Sequence, residues 1–333
     1  MIKLFIGLDL GTSAYKGVLL TEKGEIIARE RFSVAVCKSN NGKVEFSARD
    51  NFIAMSSLIR SLARQSGDEG VIVALSMAAA SGNTLLLDRE NEPLGSGIHW
   101  LDKRVAISDE NIIPGIRGQQ IHATVGWPYN NSFPLAHLGW LKTHEPDIWA
   151  KAHRIGMNIS YLLFCLTGQW VIDSSNATTF YLQDQQTSAW QTDYLAALEI
   201  MREKLPKILP STTVVGSLTK DAADNGGLSL DTKVVLGSFD HPAAARAAGI
   251  LSEGQLLFSC GTSWVGFFPM ADRGAAIKQN LLVDPFLQPH GPWGAMFSVP
   301  GIGQTVDRFI NNMFSTDDKY RAFGEAAAGV APG

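Results

Sequence analysis

GLDLGTSAYKGVLL, residues 7–20, runs from one apolar stretch through Gly11-Thr12-Ser13 into a second apolar stretch. Gly and Ser favour tight turns, so the segment reads as strand, turn, strand. The first strand is predicted over Leu4–Leu10, and a Lys23-Gly24 turn leads into a third over Glu25–Arg29. The chain therefore opens as an antiparallel three-stranded meander. Apolar residues then recur at Phe52, Ile53, Met55, Leu58, Ile59 and Leu62, which is helical spacing. Far downstream, LLFSCGTSWVGFFPM at 256–270 repeats the strand, Gly-Thr-Ser, strand pattern. WGAMFSVP at 293–300 follows as a third strand and GIGQTVDRFINNMF at 301–314 as a helix. Two copies of one supersecondary unit predict an α/β protein built from a duplicated domain. The units are placed at 1–245 and 246–333.

Between the two copies, GVIVALSM (70–77) and TKVVLGSFD (232–240) are continuous apolar runs that suit buried strands. FPLAHLGWLKTHEPDIWAKA (133–152) reads as one helix, and ISYLLFCLTG (159–168) as another that closes at Gly168. The segment Leu182–Lys204 reads as polar, then helical. HPAAARAAGI (241–250) is an alanine-rich helix with Pro242 in its first turn.

The 333 residues are 45% hydrophobic and 18% charged, an ordinary globular composition with room for two domains. A net charge of −4 argues against nucleic acid or an anionic membrane as the main partner, since both call for a basic face. No apolar stretch approaches the ~20 residues of a membrane span. Cys37, Cys165 and Cys260 are too few for a disulfide framework and read as buried thiols of a reducing compartment. With no cleavable leader apparent at the N-terminus, a cytoplasmic location is expected. Self-association is left open.

A Gly-Thr-Ser turn offers backbone N–H groups and hydroxyls to phosphate oxygens, and Gly permits close approach. Lys16 adds a cation. Asp9, ending the first strand, makes sense beside a phosphate if Mg²⁺ lies between them. The bland alternative is a hairpin in which Asp9 caps local N–H groups. Asp240 ends a buried strand and begins a helix, at the position where ligands gather in α/β sheets. Serving as the helix N-cap is its bland role. The two roles coexist, because a helix N-terminus favours an ionised carboxylate.

These pieces, in this order, resemble the FGGY carbohydrate kinases, a family that includes xylulokinase and glycerol kinase. The resemblance rests on residues 7–20, WLDKR (100–104), LTG (166–168), SSNAT (174–178), GSFDHPAAARAAG (237–249) and CGTS (260–263). It implies two RNase H-like (actin/hexokinase-type) domains, with the second copy incomplete. It also implies ATP and Mg²⁺ as cofactors and a sugar or polyol as substrate. By this resemblance Asp240 is the catalytic base and Asp9 lies by the metal. Gly11, Thr12, Ser13 and Lys16 form one phosphate site, and Gly261, Thr262 and Gln304 belong to the other. Met77, Trp100, Asp102, Asn131 and His241 are expected at the substrate. The expected reaction is transfer of the γ-phosphoryl of ATP to a hydroxyl, for example of a ketopentose such as xylulose.

Three positions depart from the family pattern. Xylulokinase-like members read Gln-Met-His-Gly after the buried strand, and glycerol kinases carry Arg-Glu. Here SMAAAS (76–81) places Ala78 and Ala79 there. His241 stands where the family usually has Asn or Gln. The runner-up to an active kinase is a remnant that binds sugar without transferring phosphate. A third reading, an actin-like assembly protein, is disfavoured by WLDKR and FDHPAAA.

Overall fold

Strand β1 (Ile2–Leu10) buries every second residue: Leu4, Ile6, Leu8 and Leu10 lie in the core, while Gly7 and Asp9 fall on the other, less covered face. The alternation follows from the period of two in a pleated strand. The computed structural model describes residues 2–68, 70–105, 116, 118–261 and 263–331. Its first sheet contains β1, β2 (Ala14–Thr21), β3 (Ile26–Ser33), β4 (Gly70–Ala79), β5 (Val214–Ser217) and β6 (Lys233–Phe239), in the order β5-β6-β4-β1-β2-β3. The meander β1–β2–β3 is antiparallel as expected. β4 and β6 then add in parallel beyond β1.

Helix α1 (Ala48–Ala63) starts at Ser47, whose side chain accepts the Asp50 N–H. It lays Met55, Leu58, Ile59 and Leu62, all buried, over the covered face of β2 and β3. Burying four such side chains contributes about 1.5–3 kcal/mol each. Helix α2 (Gly118–Val125) follows. The helix expected over 133–152 is in fact two, α3 (Pro134–His144) and α4 (Pro146–Lys151), because Pro146 restricts the residue before it and cannot extend a helix. α5 (Asn158–Thr167) ends at Gly168 in the left-handed conformation, φ 71°. The short α6 (Ser174–Thr178) and α7 (Thr192–Leu198) come next. α8 (Lys220–Gly226) packs on α1, and α9 (Asp240–Ala247) leaves the end of β6.

The second sheet repeats the meander with β7 (Leu257–Cys260), β8 (Trp264–Met270) and β10 (Trp293–Val299). The sequence reading missed α10 (Arg273–Lys278) and β9 (Leu282–Asp284), which lie between the hairpin and its third strand. The order is β7-β8-β10-β9, followed by α11 (Ile302–Met313). Phe267, Phe286 and Met296 join the same core as the first sheet. Cys37 and Cys260 are exposed, which corrects the expectation of buried thiols; each sits on an edge strand with little above it. Among the described residues no helix is long and apolar enough to cross a membrane.

Candidate active site

Asp9 and Lys16 face each other across β1 and β2, and Lys16 Nζ lies 3.0 Å from Asp9 Oδ2. Both side chains are about half exposed, on the open face of the sheet. The turn between them brings Thr12 to Trp100, whose indole Nε1 donates to Thr12 Oγ1 at 3.1 Å. Ser13 accepts the Val34 N–H through its carbonyl. The expected first phosphate turn and the expected substrate tryptophan are thus one contiguous unit.

Across the sheet, β4 separates β1 from β6. Asp9 is in register with Ala78 and Leu10 with Ala79; Ser238 and Phe239 pair with the same two alanines from the other side. The alanine end of β4 is all that stands between the strand that ends with Asp9-Leu10 and the strand that leads into Asp240. Gly237 is a bulge residue, where the β4–β6 register shifts. A Cβ there would sit 2.0 Å from the Met77 carbonyl oxygen, so only Gly fits. The bulge re-aims the strand end and with it the Phe239–Asp240 step.

Asp240 heads α9, and its Oδ1 accepts the His241 N–H at 2.8 Å. Burial pushes its carboxyl above the ordinary value, and the Asp9 carboxylate adds to the rise; the His241 charge and N–H pull the other way. The His241 ring lies edge-on to Phe239 at 5.5 Å. An open groove of about 440 Å³ runs along the sheet on the Asp9 and Lys16 side; Asp240 and His241 are not among the residues that line it. Gly7, Asp9, Lys16, Ala78, Gly237 and Arg246 line it.

Two expected substrate residues are placed elsewhere. The Asp102 carboxylate is wholly buried and occupied: it accepts from Val44 N at 2.6 Å and from Arg104 N, Nε and Nη2 at 2.8–2.9 Å. Those bonds pull its pKa below the usual value against the opposing effect of burial, the largest single influence. It ties the strand Val44–Phe46 to the WLDKR loop and has no lone pair facing a ligand. The Met77 side chain is 2% exposed and points into the core, because the alternation of β4 sends Ser76 and Ala78 to the open face. Asn131 donates to the Val105 carbonyl at 3.3 Å. Gly261 is exposed at the second turn, and Gln304 is exposed on α11. Thr262 lies outside the described residues.

Sequence reasoning assigned no role to His99 or Asp284, and noted Ser175 only as part of the SSNAT motif. His99 sits between Phe46 and Trp100, and burial lowers its pKa to about 4. It is therefore neutral at ordinary pH beside the Thr12–Trp100 contact. Asp284 ends an apolar run, the same signal that drew attention to Asp9 and Asp240.

Among the described residues no cluster of three His, Cys, Asp or Glu is arranged to hold a metal. Mg²⁺ does not require one, since it keeps several waters and takes one or two carboxylates plus phosphate oxygens. A half-exposed Asp9 on an open face fits that role.

The profile of the FGGY family of carbohydrate kinases, N-terminal domain, matches residues 4–246. The chain belongs to this family. A xylulose kinase from Lactococcus lactis is 29% identical over 261 residues, covering 78% of this chain and 52% of the relative. A gluconokinase from Bacillus licheniformis is 26% identical, covering 79% and 51%. The chain thus spans about half the length of these curated relatives. Among solved structures, a xylulose kinase from Rhodospirillum rubrum superimposes with a TM-score of 0.91 at 21% identity, over 99% of this chain and 68% of that one. A Plasmodium falciparum glycerol kinase solved with ADP gives 0.85 at 18% identity, over 96% and 65%. These likenesses establish the mixed α/β, actin/hexokinase-like fold.

Proposed function

We propose that this chain carries the sugar-side machinery of an ATP-dependent carbohydrate kinase, with Asp240 as general base. Residues 1–245 are the sugar-binding unit and 246–333 belong to the nucleotide-binding unit. The observation that carries the reading is the placement of Asp9 and Asp240 at the same end of the sheet, separated only by Ala78 and Ala79. Xylulose and gluconate kinases among the relatives support a sugar or sugar-acid acceptor.

In this reading Asp240 accepts the proton of the attacking hydroxyl. Burial makes it a stronger base than an exposed aspartate, which suits proton abstraction near neutrality. Lys16 and the N–H groups of Gly11, Thr12 and Ser13 hold phosphate oxygens, and Gly261 and Gln304 of the second unit serve the other phosphate site. Asp9 would hold Mg²⁺, which when bound neutralises charge between the phosphates. Trp100, fixed by its bond to Thr12, offers an aromatic face to sugar carbons. Ala78, the alanine on the open face, presents no hydrogen-bonding side chain at its wall, so recognition there rests on shape.

The test is ADP release from ATP–Mg²⁺ with a panel of ketoses, polyols and sugar acids. At least one acceptor should raise ADP release, and Asp240→Asn should lower it by about 10²–10⁴-fold. Near-normal turnover in that variant overturns the role of Asp240. A second reading is sugar binding without transfer. A sugar-induced rise in Tm with no ADP from any acceptor would select it.

A further inference from the structure

The second sheet is fastened to the first at β9. The Val283 carbonyl accepts Gln185 Nε2 at 2.7 Å, and His122 Nε2 lies 2.8 Å from the Leu281 carbonyl. Arg273 donates to Gln185 Oε1 at 2.9 Å, and Arg246 of α9 stacks over Phe286 at 5.1 Å. At the centre is Asp284, 1% exposed. Its Oδ2 accepts the Ser175 hydroxyl at 2.6 Å. Ser175, fully buried at the start of α6, accepts in turn the Phe239 N–H at 3.1 Å. Phe239 immediately precedes Asp240. One unbroken hydrogen-bond path therefore links the second sheet to the residue that aims the base.

The other Asp284 oxygen, Oδ1, has no partner among the described residues. A buried, half-satisfied carboxyl costs stability, because the desolvation of the unbonded oxygen is not offset, so packing alone does not account for it. By accepting the Ser175 hydroxyl proton, Asp284 turns the free lone pairs of that oxygen toward the Phe239 N–H.

We propose that Asp284 and Ser175 are a positioning pair that fixes the Phe239–Asp240 turn when β9 is docked, so that the second sheet sets the aim of the base. This rests on the reading of Asp240 as base. Neither residue touches substrate; both act through the backbone of Phe239.

The experiment is amide hydrogen exchange on the full chain, followed by mass spectrometry, in wild type, Ser175→Ala, Asp284→Ala and Asp284→Asn. Ser175→Ala and Asp284→Ala should each speed exchange across 236–246 by about tenfold, the loss expected for one buried hydrogen bond. Asp284→Asn keeps an oxygen of the same size facing Ser175 and should retain wild-type exchange there. Residues 55–62 of α1 should exchange alike in all four. Unchanged exchange over 236–246 in Ser175→Ala, or acceleration in Asp284→Asn equal to that in Ser175→Ala, overturns the proposal. If Asp284→Ala loses protection in α1 as well, it is globally unfolded and the Ser175→Ala and Asp284→Asn pair decides. Exchange needs no turnover, so a failed Asp240→Asn activity test would remove the base while leaving the coupling measured.

Discussion

Asp102 shows how a motif residue can be structural while its neighbour faces the site. Trp100 reaches Thr12, whereas two residues on Asp102 is sealed against Val44 and Arg104. The Arg104 side chain is 7% exposed, so Asp102→Ala leaves a buried guanidinium with Glu45 as its remaining ion-pair partner among the described residues. We expect a loss of about 3 kcal/mol or more in urea unfolding, within the range for breaking a buried ion pair. Lys16→Ala is the opposite case. Its ion pair with Asp9 is half exposed and contributes no more than about 1 kcal/mol. That variant should keep its urea midpoint while binding of ATP–Mg²⁺, read by calorimetry, weakens. The spacing of WLDKR alone could not separate these roles, because it does not show which side chain meets strand Val44–Phe46.

At the scale of elements, the β4–β6 contact decides where the candidate base stands. Gly237 lets the two strands close over the Met77 carbonyl. Gly237→Ala should cost about 3 kcal/mol or more, since backbone rather than a flexible side chain must move. Thermal unfolding would show it, and a Tm within a degree or two of wild type would contradict the bulge geometry. The apolar runs at 70–77 and 232–240 made both strands legible, but not their parallel adjacency. The expected single helix at 133–152 failed at Pro146, where the chain-breaking effect of proline outweighed apolar periodicity. α10 and β9 escaped notice because six and three residues are too few to show a period.

For the molecule as a whole, two buried carboxyls at the junction of the sheets make stability depend on pH. Burial pushes Asp284 up to about 7 and Asp173, the N-cap of α6, to about 6. Ser175 and Arg246 lower Asp284, while Asp173 raises it further. A folded pKa above the unfolded one means the contribution is complete below about pH 4 and is lost as pH rises toward 7. Wild type should therefore lose Tm relative to Asp284→Asn between about pH 4 and 7, with a constant difference above. A difference independent of pH would show that Asp284 does not titrate in this window.

The sequence by itself determined the duplicated strand–turn–strand units, the strand-end acids Asp9 and Asp240, and membership in a kinase family. All of these are local, written in runs of apolar residues, turn chemistry and motif order. Only the tertiary structure decided that Asp102 and Met77 are turned inward, that β4 ends in alanines between the two acids, and that β9 is fastened to α6. Those are contacts between segments far apart in the chain. Which face a side chain takes is set by strand register and by what packs above it, and neither is encoded in the neighbouring residues.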